Sequence, residues 1–131
     1  MPVYVNDHAP VTSDAILAEL RGTFGHRDFR DEQQRSIVHQ VLQERPDGDV
    51  FVQRRTGGGK SLCYQLAAQL SSGVTIVVTP LLVLMEDQVR ALIDRDVVAL
   101  QYKGGLRGAD REIHLDMLRE GYVTLLYVTP E

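Results

Sequence analysis

The chain has 131 residues, of which 44% are hydrophobic and 24% are charged; these are ordinary proportions for a globular protein and exclude a disordered chain. A net charge of −4 lacks the basic surface that small dedicated nucleic-acid binders use. Cys63 is the single cysteine, so no internal disulfide can form and a reducing intracellular compartment is expected. No apolar run approaches the length of a membrane span.

The first part of the chain predicts a lead-in followed by two helices. Residues 1–12 show no hydrophobic period and are expected to be disordered. Ser13 is a candidate cap for a helix that ends at Gly22 or Gly25. The apolar residues that give this helix one buried face are Ile16, Leu17 and Leu20.

A second helix is predicted after Asp31. Gln34 follows Asp31 at the spacing of a capping box, and a Pro-Asp-Gly turn at 46–48 stops the helix. The residues that recur at helical spacing are Ile37, Val38, Val41 and Leu42.

From residue 49 onward, predicted strands alternate with predicted helices, which indicates an α/β fold with a parallel sheet. The predicted strands are 49–53, 74–79, 97–100 and 123–129, and the predicted helices are 60–70, 82–94 and 110–120. The continuous apolar runs 74–78 and 123–128 predict strands buried on both faces. In the helix at 82–94, the inward residues are expected to be Val89, Leu92 and Ile93. The α/β layer is expected to be incomplete at its C-terminus, because no helix follows the last strand.

A glycine-rich loop lies between the first predicted strand and its helix, which is the context of a phosphate-binding loop, or Walker A motif. Three consecutive glycines allow backbone N–H groups to curl around phosphate oxygens, next to the positive end of a helix. Lys60 is expected to reach the β and γ phosphates, and the Ser61 hydroxyl to bind Mg²⁺. Arg54 stands where the usual spacing has a glycine. The alternative is a glycine-rich turn with an incidental lysine. The residues assigned to the nucleotide here are Thr56, Gly57, Gly58, Gly59, Lys60, Ser61 and Leu62.

Residues 20–131 resemble the first RecA-like domain of RecQ-family DNA helicases, at four blocks in the right order: 20–34, 56–65, 78–89 and 125–131. The resemblance implies a P-loop NTPase fold, a three-layer sandwich with a mainly parallel sheet, of which 13–131 would be the first part. It implies ATP and Mg²⁺ as cofactors, DNA as a partner, and 3′ to 5′ unwinding in repair and recombination. The implied location is the nucleus of a eukaryote, or the cytoplasm or nucleoid of a bacterium. No oligomeric state is predicted.

The first block resembles motif 0 of that family, which implies an adenine pocket. There Gln33 would hydrogen-bond the base, Arg30 would pack against it, and His26 stands where an aromatic stacking residue is common. Spacing alone would instead favour a helix cap with solvated Arg30 and Gln33. The second block differs from the usual sequence of the family, because Arg54-Arg55 replaces Met-Pro and Ala67 replaces a proline.

The third and fourth blocks resemble motifs that contact DNA at strand ends in the family. The implied contacts are Thr79, Pro80, Leu81, Gln88, Thr129 and Pro130. Hydroxyl and backbone N–H groups there can hold a phosphodiester without reading sequence. Taken alone, the third block is equally typical of an ordinary strand-to-helix turn. Residues 102–105, Tyr-Lys-Gly-Gly, are interpreted as a flexible loop.

The chain contains no Asp-Glu-x-His box, which positions Mg²⁺ and water in this family; its single Asp-Glu pair is Asp31-Glu32. A second RecA-like domain is also absent from the sequence. We therefore expect the 131-residue chain to bind nucleotide without turning it over. Three hypotheses remain: a helicase fragment, a noncatalytic nucleotide or single-strand DNA binding module, and a small-molecule kinase, against which motif 0 argues.

Overall fold

A computed structural model describes residues 11–42, 49–55, 57, 59–102 and 108–130. The chain divides into two compact units, Met1–Ser71 and Ser72–Glu131. Several predictions lie outside the described residues: most of the lead-in, the turn at 46–48, residues 103–105 of the loop predicted at 102–105, and the positions Thr56 and Gly58.

The first unit contains three helices: α1 (Ser13–Gly22), α2 (Glu32–Leu42) and α3 (Lys60–Leu70). Their apolar faces supply its core. The buried apolar residues are Ile16, Leu20, Phe24, Ile37, Val38, Cys63, Leu66, Ala67 and Ala68. The helical periods predicted from the sequence are therefore confirmed, and α3 has the predicted bounds.

Helix α1 is capped one residue earlier than predicted. The side chain of Thr12, which has extended backbone angles, accepts a hydrogen bond from the backbone N–H of Ala15 at 3.2 Å. Ser13 already belongs to the helix, so the prediction that Ser13 is the cap was wrong. The helix ends at Gly22, one of the two predicted positions.

The predicted strand at 49–53 was also wrong. These residues form no strand, and Phe51 is 92% exposed. A strand requires a hydrogen-bonded neighbour, and the strands among the described residues pair with one another within 75–128. The apolar composition of 49–53 favoured a strand, but these residues pair with no strand among the described residues.

The second unit is a three-stranded parallel sheet with two helices. Its elements in order are β1 (Thr75–Val78), α4 (Leu82–Ile93), β2 (Ala99–Tyr102), α5 (Ala109–Arg119) and β3 (Leu125–Val128). The strand order is β1-β3-β2, and β3 runs parallel to both neighbours. The predicted α/β class and parallel sheet are confirmed. The strand predicted at 97–100 lies two residues later, however, and Tyr102 belongs to it and not to the predicted loop. The central strand places Leu125 and Tyr127 in the core.

Two predictions about burial in this unit were wrong. Ile76 and Val78 of β1 are 58% and 62% exposed, so this strand is not buried on both faces. It is an edge strand, and its side chains alternate between a half-buried and an exposed face. Ile93 is exposed as well, because the buried face of α4 follows Met85, Val89 and Leu92 at helical spacing.

The two helices of this unit end with the same motif, in which the chain turns through a left-handed residue. After α5, that residue is Gly121 with φ of 77°, and Tyr122 donates to the Met117 carbonyl at 3.1 Å. After α4, it is Asp96 with φ of 61°, the single non-glycine residue with positive φ in the described part of the chain. No helix among the described residues is long and apolar enough to cross a membrane.

Candidate nucleotide-binding site

The glycine-rich loop leads directly into the first turn of α3. Gly57 and Gly59 have φ of 78° and 80°, the left-handed region that L-residues rarely adopt. Gly59 caps α3 but has no side chain to cover the N–H groups of its first turn. Those groups and the helix dipole favour an anion at this end.

The loop is held by the side chain of Gln34. This residue is only 2% exposed, and its amide nitrogen donates to the carbonyl of Gly59 at 3.2 Å. Its amide oxygen accepts from the backbone N–H of Arg30 at 2.8 Å. A methyl group on Gly59 would collide with the Gln34 amide nitrogen, so the contact requires glycine.

Gln34 was assigned only a capping role from the sequence. The capping box is confirmed in one half: Asp31 accepts from the backbone N–H of Gln34 at 2.8 Å. In the other half, the Gln34 oxygen pairs with Arg30 instead of Asp31. The signal that was available is the position of Gln34 three residues before Ile37, on the apolar face of α2, where a polar side chain needs a partner.

Arg30 also contacts the loop. Its guanidinium donates to the carbonyl of Gly57, although the side chain is otherwise exposed. Gln34 and Arg30 therefore connect motif 0 to two carbonyls of the glycine-rich loop, which the sequence alone could not place together. His26 is exposed and lines an open depression with Arg21, Gly25 and Arg27.

Arg54 makes polar contacts with three residues of this unit. Its guanidinium binds the Asp31 carboxylate through two hydrogen bonds, of 2.7 and 2.9 Å, and its side chain is only 7% exposed. The same guanidinium donates to the side-chain oxygen of Gln33 at 3.2 Å. Its backbone carbonyl accepts from the ammonium group of Lys60 at 3.0 Å.

These contacts shift the ionisation of both partners. The hydrogen bonds from Arg54, followed by the backbone N–H of Gln34, hold the pKa of Asp31 well below its usual range. The Asp31 carboxylate raises the pKa of Arg54 in turn. The bridge is therefore fully ionised at neutral pH.

The first turn of α3 carries the other predicted groups. Lys60 is exposed, while Ser61 and Leu62 are half-buried. Cys63 is buried, and this burial raises the pKa of its thiol. A triphosphate with Mg²⁺ requires hydrogen-bond donors for its oxygens and an oxygen ligand for the metal. The backbone N–H groups of the loop and of the first turn of α3, with the ammonium of Lys60, can donate. The hydroxyl of Ser61 can bind the metal. The residues present fit that group.

In the second unit, the two predicted DNA-contacting strand ends lie side by side. Val78 and Val128 are paired in register, and the backbone N–H of Thr79 donates to the Val128 carbonyl at 3.0 Å. The segments that follow, Thr79-Pro80 and Thr129-Pro130, therefore share one edge of the sheet.

The hydroxyl oxygen of Thr79 accepts from the backbone N–H of Leu81 at 3.2 Å and so shapes the turn into α4. Leu81 is exposed at the start of that helix. Gln88 lies about 10 Å further along α4. The structure thus brings four of the six predicted DNA contacts to one edge, with Leu81 at the start of the adjoining helix and Gln88 further along it.

Comparison with known proteins gives a consistent result. The DEAD/DEAH box helicase family model matches residues 31–131. The ATP-dependent DNA helicase Q5 of Rattus norvegicus is 42% identical over 118 residues, which cover 88% of this chain and 12% of that protein. The ATP-dependent helicase SGS1 of Saccharomyces cerevisiae is 38% identical over 123 residues, covering 91% and 8%.

A bacterial relative is similar to the same extent. The ATP-dependent DNA helicase RecQ of Synechocystis is 39% identical over 112 residues, which cover 86% of this chain and 23% of that protein. The chain thus spans 8% to 23% of the length of these three relatives.

Proposed function

The chain belongs to the DEAD/DEAH box helicase family, and from that premise we propose that it is part of the motor of a RecQ-type ATP-dependent DNA helicase. Residues 13–131 would form the N-terminal part of the first RecA-like domain, after the lead-in at 1–12. The similarity to helicases of that type extends over 86% to 91% of the chain. Two of these relatives are DNA helicases by name, which supports a location inside the cell, in the nucleus of a eukaryote or in the cytoplasm or nucleoid of a bacterium.

One observation carries the nucleotide part of this proposal: the left-handed loop at Gly57 and Gly59 opens α3 and is tied through Gln34 and Arg30 to motif 0. A nucleotide whose phosphates occupy the loop would then have its base beside motif 0. The base would meet Gln33, Arg30 and His26. This arrangement suits a nucleoside triphosphate better than an isolated phosphate.

The proposed roles along the phosphates follow from the chemistry of each group. The backbone N–H groups of Thr56, Gly57, Gly58 and Gly59, with that of Leu62, would surround the oxygens. Lys60 would exchange the carbonyl of Arg54 for the β and γ phosphates, a stronger charge-assisted contact. Ser61 would ligate Mg²⁺ through its hydroxyl.

The DNA part of the proposal rests on the shared sheet edge. Thr79, Pro80, Thr129 and Pro130 would offer hydroxyl and backbone groups to one DNA strand, joined by Leu81 and Gln88 of α4. Such contacts carry little sequence information, which suits a motor that must move along any sequence. Weakened binding of Thr129→Val to a fluorescent single strand, measured by anisotropy, would support this role; unchanged binding would contradict it.

The nucleotide site is tested by titrating the 131-residue chain with Mg-ATP in a calorimeter. We expect saturable binding that Lys60→Ala weakens at least about tenfold, because a charge-assisted contact is lost. Arg119→Ala is the matched control, since it removes one positive charge from an exposed pair with Asp116 in the second unit. Equal affinity of Lys60→Ala and the wild type would refute the site.

A second candidate is a noncatalytic module that binds nucleotide or single-stranded DNA. Both candidates bind Mg-ATP, and they differ in turnover. We expect negligible DNA-stimulated release of phosphate by this chain, because nothing in it matches the acidic box that positions water and metal. Robust stimulated release would overturn that expectation.

A further inference from the structure

Arg54 lies between the two ends of the proposed site. On one side it donates to the side-chain oxygen of Gln33 at 3.2 Å, and on the other its carbonyl accepts from Lys60 at 3.0 Å. It is anchored by two hydrogen bonds to Asp31 and is 7% exposed. A long cationic side chain is therefore fixed in one orientation beside the residue proposed to read the base.

The chemistry of the guanidinium fixes which way the Gln33 amide points. Arginine carries only donors, so the atom that faces Arg54 has to be the amide oxygen of Gln33. The amide nitrogen of Gln33, a donor, is the group left to face elsewhere. This orientation follows from the identity of the partner and does not depend on telling oxygen from nitrogen by position.

That orientation has a consequence for purine recognition. A glutamine amide recognises adenine by accepting from its 6-amino group and donating to N7. Guanine presents acceptors at both positions, so the amide oxygen is the atom that separates the two bases. An oxygen that is already engaged by a cation is a weaker acceptor for a second donor, whereas the amide nitrogen can serve either base at N7.

We infer that Arg54 is a positioning residue for base selectivity: by holding the oxygen of Gln33, it reduces the preference of the site for adenine over guanine nucleotides. The inference rests on the proposed nucleotide site and deepens it. Arg54 stands where the RecQ resemblance predicts a methionine, so the inference also assigns a role to this difference.

The test compares the affinities of Mg-ATP and Mg-GTP in the full chain, using the wild type, Arg54→Met, Gln33→Ala and the double variant. The two ligands share one triphosphate, so a change in the loop alters both affinities by the same factor. Only a change at the base alters their ratio. Arg55→Met is the matched control, because Arg55 is the adjacent, exposed arginine.

We expect the wild type to bind the two nucleotides within about threefold of each other, and Arg54→Met to raise the ATP to GTP affinity ratio by about 3- to 10-fold, the range of one hydrogen bond. The ratio should not respond to Arg54→Met when Gln33 is already alanine. Arg55→Met should leave the ratio unchanged.

The remaining outcomes overturn either this inference alone or this inference together with the proposed nucleotide site. An unchanged ratio in Arg54→Met, or an equal rise in the Gln33→Ala background, overturns the inference alone. A wild-type preference for ATP above about 30-fold overturns it without any variant, even if Arg54→Met does not fold. Wild-type binding no stronger than that of Lys60→Ala overturns the proposed site and this inference together.

Discussion

The amide nitrogen of Gln34 donates to the backbone carbonyl of Gly59, so that a side chain from the first turn of α2 holds the residue that opens α3. Gln34 is 2% exposed, so its amide is removed from water. A buried amide is stable only when its groups are paired. Stability and loop geometry therefore depend on the same residue.

The first prediction concerns Gln34. We expect Gln34→Ala to lower the free energy of unfolding by about 1–3 kcal/mol, because the Arg30 N–H loses its partner and the Gly59 carbonyl loses one of its donors. Gln34→Glu should cost more, since a carboxylate cannot donate to the Gly59 carbonyl. Urea unfolding monitored by circular dichroism measures both.

Gln40→Ala is the control for this pair of variants. Gln40 lies on the same helix but is exposed, and its amide nitrogen donates to the Ser36 hydroxyl at 3.2 Å. Its removal should change stability by no more than about 0.5 kcal/mol. Similar losses for Gln34→Ala and Gln40→Ala would show that the contact with Gly59 contributes nothing.

The second prediction separates two glycines of one loop. Gly57→Ala and Gly59→Ala both force an L-residue into the left-handed region, at about 1–2 kcal/mol each. Space surrounds a methyl group at Gly57, whereas at Gly59 it would meet the Gln34 amide. Gly59→Ala should therefore be the more destabilising and should weaken Mg-ATP binding more.

Gly73→Ala provides the reference for strain alone, because Gly73 has φ of 83° with open space around it and lies in the second unit. It should cost about as much as Gly57→Ala without affecting nucleotide affinity. If Gly57→Ala and Gly59→Ala were equally destabilising, the clash with Gln34 would be disproved.

Much of the fold follows from hydrophobic spacing. The bounds of α3, the buried faces of α1 and α2 and the parallel sheet were all predicted, because helical and strand periods are properties of local sequence. The wrong predictions concern residues whose structure or burial depends on contacts with other parts of the chain. The strand at 49–53 lacked a pairing partner, and Ile76 is exposed because it lies on the face of β1 that is not covered.

The site shows the same division. Its chemical groups were recognisable from the glycine-rich loop and from the RecQ resemblance, which named Gln33 and Arg30. The contacts between Gln34 and Gly59, and between Arg54 and Asp31, span 25 and 23 residues. No local sequence pattern predicts a contact between residues so far apart. Arg54 was therefore recognised only as a difference from the usual sequence of the family.

The third prediction concerns the end of α4. Asp96 holds a left-handed conformation with φ of 61°, while Asp94, two residues earlier, is right-handed with φ of −63°. Asp96→Gly should stabilise the chain by about 0.5–1 kcal/mol, because glycine adopts this conformation without steric cost. Asp94→Gly should destabilise it by a similar amount. Thermal unfolding of both variants checks the sign, and the same sign for both would contradict the strain at Asp96.

The last prediction is the pH dependence of the Asp31–Arg54 bridge. Folding lowers the pKa of Asp31 below that of a free aspartate, so the carboxylate contributes stability above about pH 4 that is lost as the pH falls toward the lower, folded value. Asp31→Asn keeps an oxygen to cap α2 but removes the charge that binds Arg54. The stability difference between the wild type and Asp31→Asn should therefore be constant from about pH 5 to 8 and shrink below about pH 4.

Urea unfolding from about pH 3 to 8 measures this difference in stability. Asp28→Asn is the control, because the 3.8 Å contact of Asp28 with Arg35 is an exposed pair of small effect. A difference that grows on acidification would mean that Asp31 is stabilised as the neutral acid, which the two short hydrogen bonds from Arg54 argue against.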